Sequence, residues 1–355
     1  MEYAAIDLHT KDRQVQIIME TGELIDRRIA TTREKLTGLF WGRPRMRVLV
    51  EASTESEWVA QHLETLGHEV IVADPNYVLM YGCRRRQVKT DRRDVAALAE
   101  ACQRGLYRPV HRRSARQHDV QVLLNVRQEL VQARTRAISL ARATVRAEGV
   151  RVPACSAQGF STRLGAIELP VVIRERVAPL RTIIDVLDDE IDRADGHLTQ
   201  LVADDPVCQR LTTAPGIGPV TATAYVAALD DVTRFARAGQ VTSYLGLVPR
   251  EYSSGERQRR GRVVRSAHPS VQSLLVQAGW VIWRSRDPKT RALRDWAQRI
   301  AHRRGKQIAV MALARRLARI LFAMWRDQTD YQAEQVRTDR SRPPSIDNSQ
   351  VPLSM

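Results

Sequence analysis

Apolar and polar positions change their rhythm twice along the chain. Over the first hundred residues the apolar stretches are short. Residues 3–8 and 14–19 read as two strands joined by a polar turn around 11–13, and 24–30 as a third strand after the Thr21-Gly22 turn. Residues 47–51 form a short, valine-rich run of the kind buried inside a sheet. Residues 55–66 carry helical spacing and end at Gly67, a C-cap residue; 69–73 reads as another strand, stopped by Asp74-Pro75. Thr90 is placed to cap a helix over about 91–103 that stops near Gly105. Three strands, a helix, then alternating strands and helices predict a mixed sheet with helices over its faces.

The second rhythm is helical. Residues 114–148 contain neither Gly nor Pro and are apolar at Val120, Leu123, Leu124, Leu130, Val131, Ile138 and Leu140. Residues 149–165, with Pro153, read as a loop or hinge. Leu180, Ile184, Leu187, Ile191, Ala194, Leu198 and Leu201 then alternate steps of four and three, an a/d seam of about three heptads. Two readings of the seam stand side by side: packing against the preceding helix of the same chain, or a coiled coil between protomers. A further domain is expected from about residue 204, with its core in 214–280 and a basic helix at 306–325 carrying Arg315, Arg316 and Arg319. The polar stretch from 327, with Arg342-Pro343-Pro344, reads as a disordered tail. The expected division is 1–112, 113–203, 204–326 and 327–355.

Charge narrows the function. Lys and Arg number 56 against 40 Asp and Glu, a formal net charge of +16 over 355 residues. A chain this basic usually meets a polyanion, and nucleic acid supplies the densest array of phosphates. Hydrophobic content of 43% is incompatible with wholesale disorder. No apolar stretch approaches a membrane span and no apolar signal core opens the chain, so a bacterial, nucleoid-associated cytoplasmic protein is expected. Cys83, Cys102, Cys155 and Cys208 are far apart, which argues against a zinc site or a disulfide framework.

Three constellations could carry chemistry. Asp7 and Glu51 each end an apolar strand, and Asp91 and Asp94 lie three apart at a helix start, on one face. Four carboxylates repel one another unless cations bind between them, and hard oxygen ligands select Mg²⁺ or Mn²⁺. Two such ions clamp the attacking and leaving oxygens of a phosphodiester. Taken singly, each acid also has a plain structural use, as a strand-end turn residue or as a favourable charge in a first helical turn. The second constellation is the segment 246–255, ending Ser253-Ser254-Gly255, followed by Arg257, Arg259, Arg260 and Arg262. A serine beside many arginines suits attack on phosphorus, although Ser-Ser-Gly is also ordinary turn chemistry. The third is Ala214-Pro215-Gly216-Ile217-Gly218-Pro219, similar to the turn of a helix-hairpin-helix, where Gly216 and Gly218 would let backbone N–H groups approach a phosphate. A purely structural helix–helix turn is the alternative. Among the arginines of 113–146, Arg127 and Arg134 are candidates for tracking a phosphate backbone, against the plainer reading of a solvated helix face.

These residues together resemble the DEDD-type insertion-sequence transposases, which pair an N-terminal RuvC-like (RNase H-like) domain with a C-terminal serine-bearing domain. Ala5-Ile6-Asp7, Val50-Glu51-Ala52-Ser53 and 89–96 match the family's acidic segments; 215–218 and 244–249 match its second domain. The resemblance covers about 3–325 and implies a bridge-RNA-guided serine recombinase. Asp7, Glu51, Asp91 and Asp94 would bind Mg²⁺, and Ser254, directly before a glycine, would attack DNA to form a phosphoserine link. It also implies homo-oligomers, dimers assembling to a tetramer in which the two halves of the site come from different protomers, holding two DNA duplexes and RNA. Arg265 and Ala267 stand where the family commonly has a lysine and a glycine.

Two other readings compete with a recombinase. A RuvC-like nuclease or junction resolvase would need the four acids and water, and leaves Ser254 without a role. A non-catalytic nucleic-acid-binding protein would need only the charge.

Overall fold

A computed structural model describes the backbone of residues 1–8, 12–81, 91–254, 257–263 and 268–333, and the side chains of all these except 81, 91, 250–254 and 257–263. Of the expected disordered tail, 327–355, the part from 334 on lies outside the described residues, as do Cys83, Arg265 and Ala267. The chain divides into two compact units, Met1–Arg113 and Ser114–Met355.

The first unit is built on a five-stranded sheet in the order β3-β2-β1-β4-β5. Its strands are β1 (Tyr3–Leu8), β2 (Asp12–Ile18), β3 (Leu24–Ala30), β4 (Arg47–Glu51) and β5 (Glu69–Ala73). β1, β2 and β3 run antiparallel, while β4 pairs parallel with both β1 and β5. Three helices cover the sheet: α1 (Arg33–Phe40), α2 (Ser56–Thr65) and α3 (Asp91–Arg104). Strand period two sorts the side chains. Ala4, Ile6, Val48 and Val50 pack with Leu36, Phe40, Val59 and Leu63 of α1 and α2. Ala5 and Leu49 face the other way, against Val95, Leu98, Ala99 and Cys102 of α3. The mixed sheet with helices on both faces agrees with the sequence pattern. The exception is α1, which the sequence did not announce; its start is fixed by Thr32, whose side chain accepts from the Lys35 N–H.

The second unit is mainly helical. Two helices of 33 residues, α4 (Ala115–Ala147) and α6 (Val171–Ala203), lie along each other, each about 50 Å long at 1.5 Å per residue. The start of α4 packs with the end of α6 through Val120, Leu124, Leu198 and Val202. The end of α4 meets the start of α6 through Ala141, Val145, Ile173, Val177 and Ile184, so the pair is antiparallel. The heptad seam is therefore packed within the chain. A short helix, α5 (Phe160–Gly165), forms inside the stretch 149–165 expected to be a loop or hinge.

Beyond them come α7 (Pro206–Thr212), α8 (Pro219–Leu229), α9 (Ala238–Tyr244), α10 (Pro269–Arg284), α11 (Arg291–Arg304) and α12 (Lys306–Arg326). Residues 221–229 of α8 are buried throughout, and the Tyr225 hydroxyl donates to the Ala318 carbonyl of α12 at 2.8 Å. Between α9 and α10 stands an antiparallel ribbon, β6 (Pro249–Ser254) and β7 (Arg257–Val263), where the sequence suggested a loop. Among the described residues, no helix is long and apolar enough to cross a membrane.

Candidate catalytic site

Two strands and one helix define the acidic end of the first unit. The parallel register pairs Ile6 with Val50, so Asp7 and Glu51 follow as the next residues of adjacent strands. Both continue the odd-numbered set that faces α3, since Ala5 and Leu49 pack on that helix. α3 runs opposite to the strands. Near its C-terminus Cys102 donates its thiol to the Arg47 carbonyl, at the start of β4, at 3.5 Å. Its first turn, with Asp91 and Asp94, therefore lies over the strand ends that carry Asp7 and Glu51. Asp7 is 7% exposed and Asp94 5% exposed. The side chain of Asp91 lies outside the described residues. Among the described residues, no group of three or more acidic, His or Cys side chains is drawn together tightly enough to hold a metal ion.

A polar network absent from the sequence reading braces this end of the unit. Gln14, the cross-strand partner of Asp7, donates to Asp26 of β3, and Asp26 also accepts from Arg92 of α3. The first turn of α3 is thus tied to the sheet edge between the two candidate aspartates. An acid inside the apolar stretch 24–30 was the available signal. On the opposite face Arg13 is fully buried. It donates to Thr31 Oγ1 and Glu55 Oε2, each at 2.9 Å, and lies 4.6 Å from the Trp58 ring centroid. Burial pushes its guanidinium below the ordinary value, while Glu55 opposes that shift. The pair pins the turn between Glu51 and α2, which a second bond reinforces: the Ser56 hydroxyl donates to the Ser53 carbonyl at 3.0 Å.

In the second unit Ser254 is the last residue of β6, paired across the ribbon with Arg257; Tyr252 pairs with Arg259, Ser253 with Gln258 and Glu251 with Arg260. Cross-strand partners and residues two apart share a face. Ser254 therefore falls on the face that carries Arg257 and Arg259, and Ser253 on the face that carries Arg260. Arg262 lies further along β7, past the irregularity in the register.

Gly216 and Gly218 lie in the turn between α7 and α8. Gly216 has φ +76°, and a Cβ there would come within 3.0 Å of the Ala278 carbonyl oxygen. Gly218 is the exposed N-cap of α8, with open space where a Cβ would stand and no side chain capping the helix. Arg127 and Arg134 have other employment. Their guanidinium groups pair with Asp195 and Asp188 of α6, and their side chains are only 17% and 11% exposed.

Comparison with known proteins finds two matching stretches along the chain. A DEDD transposase model of the IS110 group matches residues 4–147, and a model described as transposase IS116/IS110/IS902 family matches 208–294. A probable family 20 transposase of Pseudomonas aeruginosa is 30% identical over 308 residues, covering 84% of this chain and 89% of that protein. The chain belongs to the IS110/IS116 family of insertion-sequence transposases. The transposase for insertion sequence element IS1111A of Coxiella burnetii is also 30% identical, over 68% of each chain. That of element IS1328 of Yersinia enterocolitica is 28% identical over 82% of this chain and 87% of its own. Transposases cut and rejoin DNA, and DEDD members of the class generally use divalent metal.

Proposed function

We propose that this transposase cuts and rejoins DNA through a serine nucleophile, Ser254, assisted by carboxylates that hold Mg²⁺ or Mn²⁺. The observation that carries the metal half is the alignment of Asp7 and Glu51 at neighbouring strand ends, both facing the helix turn that bears Asp91 and Asp94. An all-carboxylate donor set fits a hard cation. Bound there, the ion would neutralise charge developing on the scissile phosphate. The protein's own part is to hold the acids in place, through the Gln14–Asp26–Arg92 network and the Arg13–Glu55 anchor.

In the serine half, the Ser254 oxygen forms a bond to phosphorus as the bond to one DNA end breaks, and the hydroxyl proton ends on the departing oxygen. The pairing of Ser254 with Arg257, one register step from Arg259, supports it over Ser253. Arginines of β7, with Arg260, Arg262 and Arg265, supply cationic donors for phosphate. The turn 215–218 is read as a helix-hairpin-helix element in which the bare N-terminus of α8 meets the DNA backbone. Selection of target DNA by base pairing with a bridge RNA, and assembly of dimers into a tetramer, complete the reading by family resemblance.

The test uses the full chain with its native flanking DNA. After denaturation in detergent, protein should remain attached to DNA in the wild type and not in Ser254→Ala, and EDTA should abolish it. Persistence in Ser254→Ala with loss in Ser253→Ala would move the nucleophile by one residue. Cutting that needs Asp7 but leaves no adduct would replace the serine mechanism with hydrolysis.

A further inference from the structure

Six arginines line one groove of the second unit. The groove, about 1270 Å³, lies between α11, α12 and the segment 327–332, and takes Arg291 and Arg299 from α11 and Arg315, Arg316, Arg319 and Arg326 from α12. Only three acids, Asp295, Asp327 and Asp330, share its lining. Arg291 stands 3.8 Å from Asp295, Arg326 pairs with Asp327 at 2.7 Å, and Arg316 stacks over the Trp296 ring at 4.6 Å. Among the described residues, Arg299, Arg315 and Arg319 have no carboxylate partner, and all three are exposed.

Several arginines elsewhere in the chain are neutralised across elements. Arg13, Arg47, Arg112, Arg127 and Arg134 each meet a carboxylate of a neighbouring element. In the groove the positive charges accumulate instead, and a recess lined by one sign of charge focuses its field on an anion. Arg315 and Arg319 are four apart on α12, which sets their Cβ atoms about 5–6 Å apart on one face. That is the scale on which successive phosphates of an extended strand follow one another. Packed helices lie about 8–10 Å axis to axis. A furrow on that scale matches the width of one extended strand, whose phosphates Arg315 and Arg319 can follow.

We propose that the α11–α12 groove binds the phosphate backbone of a single nucleic-acid strand. The proposal rests on the reading of this chain as a nucleic-acid enzyme only in its choice of a polynucleotide as the anion. Arg315, Arg319 and Arg299 make the phosphate contacts, and Arg316, with its Cζ 4.6 Å from the Trp296 ring centroid, offers a guanidinium on which a base can stack.

The experiment measures binding of one labelled sequence as single-stranded DNA, single-stranded RNA and duplex DNA to the full chain, between about 50 and 200 mM salt. For single strands, each lost phosphate contact lowers the slope of log affinity against log salt by about 0.7. Arg315→Gln/Arg319→Gln should therefore flatten the slope by about 1.4 and weaken single-strand binding at low salt. Arg315→Lys/Arg319→Lys should keep the slope, and so should Arg303→Gln/Arg304→Gln, at the exposed end of α11 and outside the groove lining. The larger of the DNA and RNA effects identifies the strand. An unchanged slope in the groove variant, an equal change in the Arg303/Arg304 variant, or a change confined to the duplex overturns the proposal. Wild-type protein that binds none of the three would overturn the broader reading as well, whereas loss of the groove effect alone leaves the Ser254 adduct to judge that reading separately. Circular dichroism and Tm of each variant confirm that the helices remain folded.

Discussion

The Cys102 thiol lies 3.5 Å from the carbonyl oxygen of Arg47, which sets the C-terminal end of α3 over the start of β4. With the C-terminal end of the helix over the start of β4, Asp94 must lie towards the strand ends where Asp7 and Glu51 emerge. Asp7 and Glu51 follow the last paired residues of two adjacent parallel strands, and both continue the face that packs on α3. If they hold a cation, Asp94→Asn should reduce DNA cutting by about a hundredfold or more, at least the scale of losing a metal-site hydrogen-bond partner. Removing one of several repelling carboxylates should leave Tm little changed. Single-turnover cutting assays in Mg²⁺ and Mn²⁺, run beside thermal melts, check both. A fall in Tm that accounts for the lost activity would make Asp94 a structural residue.

The buried thiols predict alkaline sensitivity. Burial pushes Cys102 and Cys208 from an ordinary value of 9.0 up to about 12. The folded state therefore holds two protons that the unfolded chain releases once pH passes about 9. Stability from these groups is intact below that pH and is lost as pH rises towards 12. Each thiol should cost about 1.4 kcal/mol per pH unit in that window. Urea unfolding at a series of pH values should give a steeper decline for wild type than for Cys102→Ala/Cys208→Ala. Parallel slopes would disprove the assignment. The slopes are the quantity compared, because the alanines also leave cavities that lower stability at every pH.

The α4–α6 pair predicts an energetic coupling. Arg134 and Asp188 meet across the two helices at 11% and 18% exposure, between the regimes of surface and fully buried ion pairs. Arg134→Met should cost about 2 kcal/mol, because Asp188 is left poorly solvated without its partner. Arg134→Met/Asp188→Leu should recover much of that loss. A double-mutant cycle in denaturant reads the coupling, and additive losses would show that the two side chains act independently.

Much of the first unit was legible because its signals are local. Strands 3–8, 24–30, 47–51 and 69–73 coincide with observed strands, since each is a short apolar run bounded by Gly, Pro or polar turns. The acidic quartet was legible as residue types, and its strand-end and helix-start positions already suggested a common spot, but the arrangement that would bring them there was not legible. It depends on the direction of α3, set by Cys102, Leu98 and Val95 packing on Ala5 and Leu49. β6 and β7 escaped notice because Arg257–Val263 has almost no apolar alternation, and pairing with its neighbour makes it a strand. Arg127 and Arg134 were read from a local excess of positive charge. Their partners, Asp195 and Asp188, are more than fifty residues away in sequence, a distance no window of neighbours spans.

Two glycines in one turn separate architecture from nucleic-acid contact. Gly216 has a backbone conformation that side chains disfavour, and the Ala278 carbonyl would stand 3.0 Å from its Cβ. Gly216→Ala should therefore destabilise the second unit by about 1–3 kcal/mol, whatever the turn binds. Gly218 has ordinary extended geometry, φ −97° and ψ 177°, and a Cβ there would meet nothing within 4 Å. Replacing it with alanine costs less than about 1 kcal/mol of helix capping. Its added methyl group would nevertheless stand where a phosphate must approach the first free N–H groups of α8. If the α8 N-terminus holds the DNA backbone, Gly218→Ala should lower duplex affinity about tenfold while Tm stays close to wild type. Filter binding and calorimetry on the same preparation separate the two effects. Unchanged affinity in Gly218→Ala, with Gly216→Ala merely unstable, would make this turn a helix joint and leave DNA recognition to other parts of the chain.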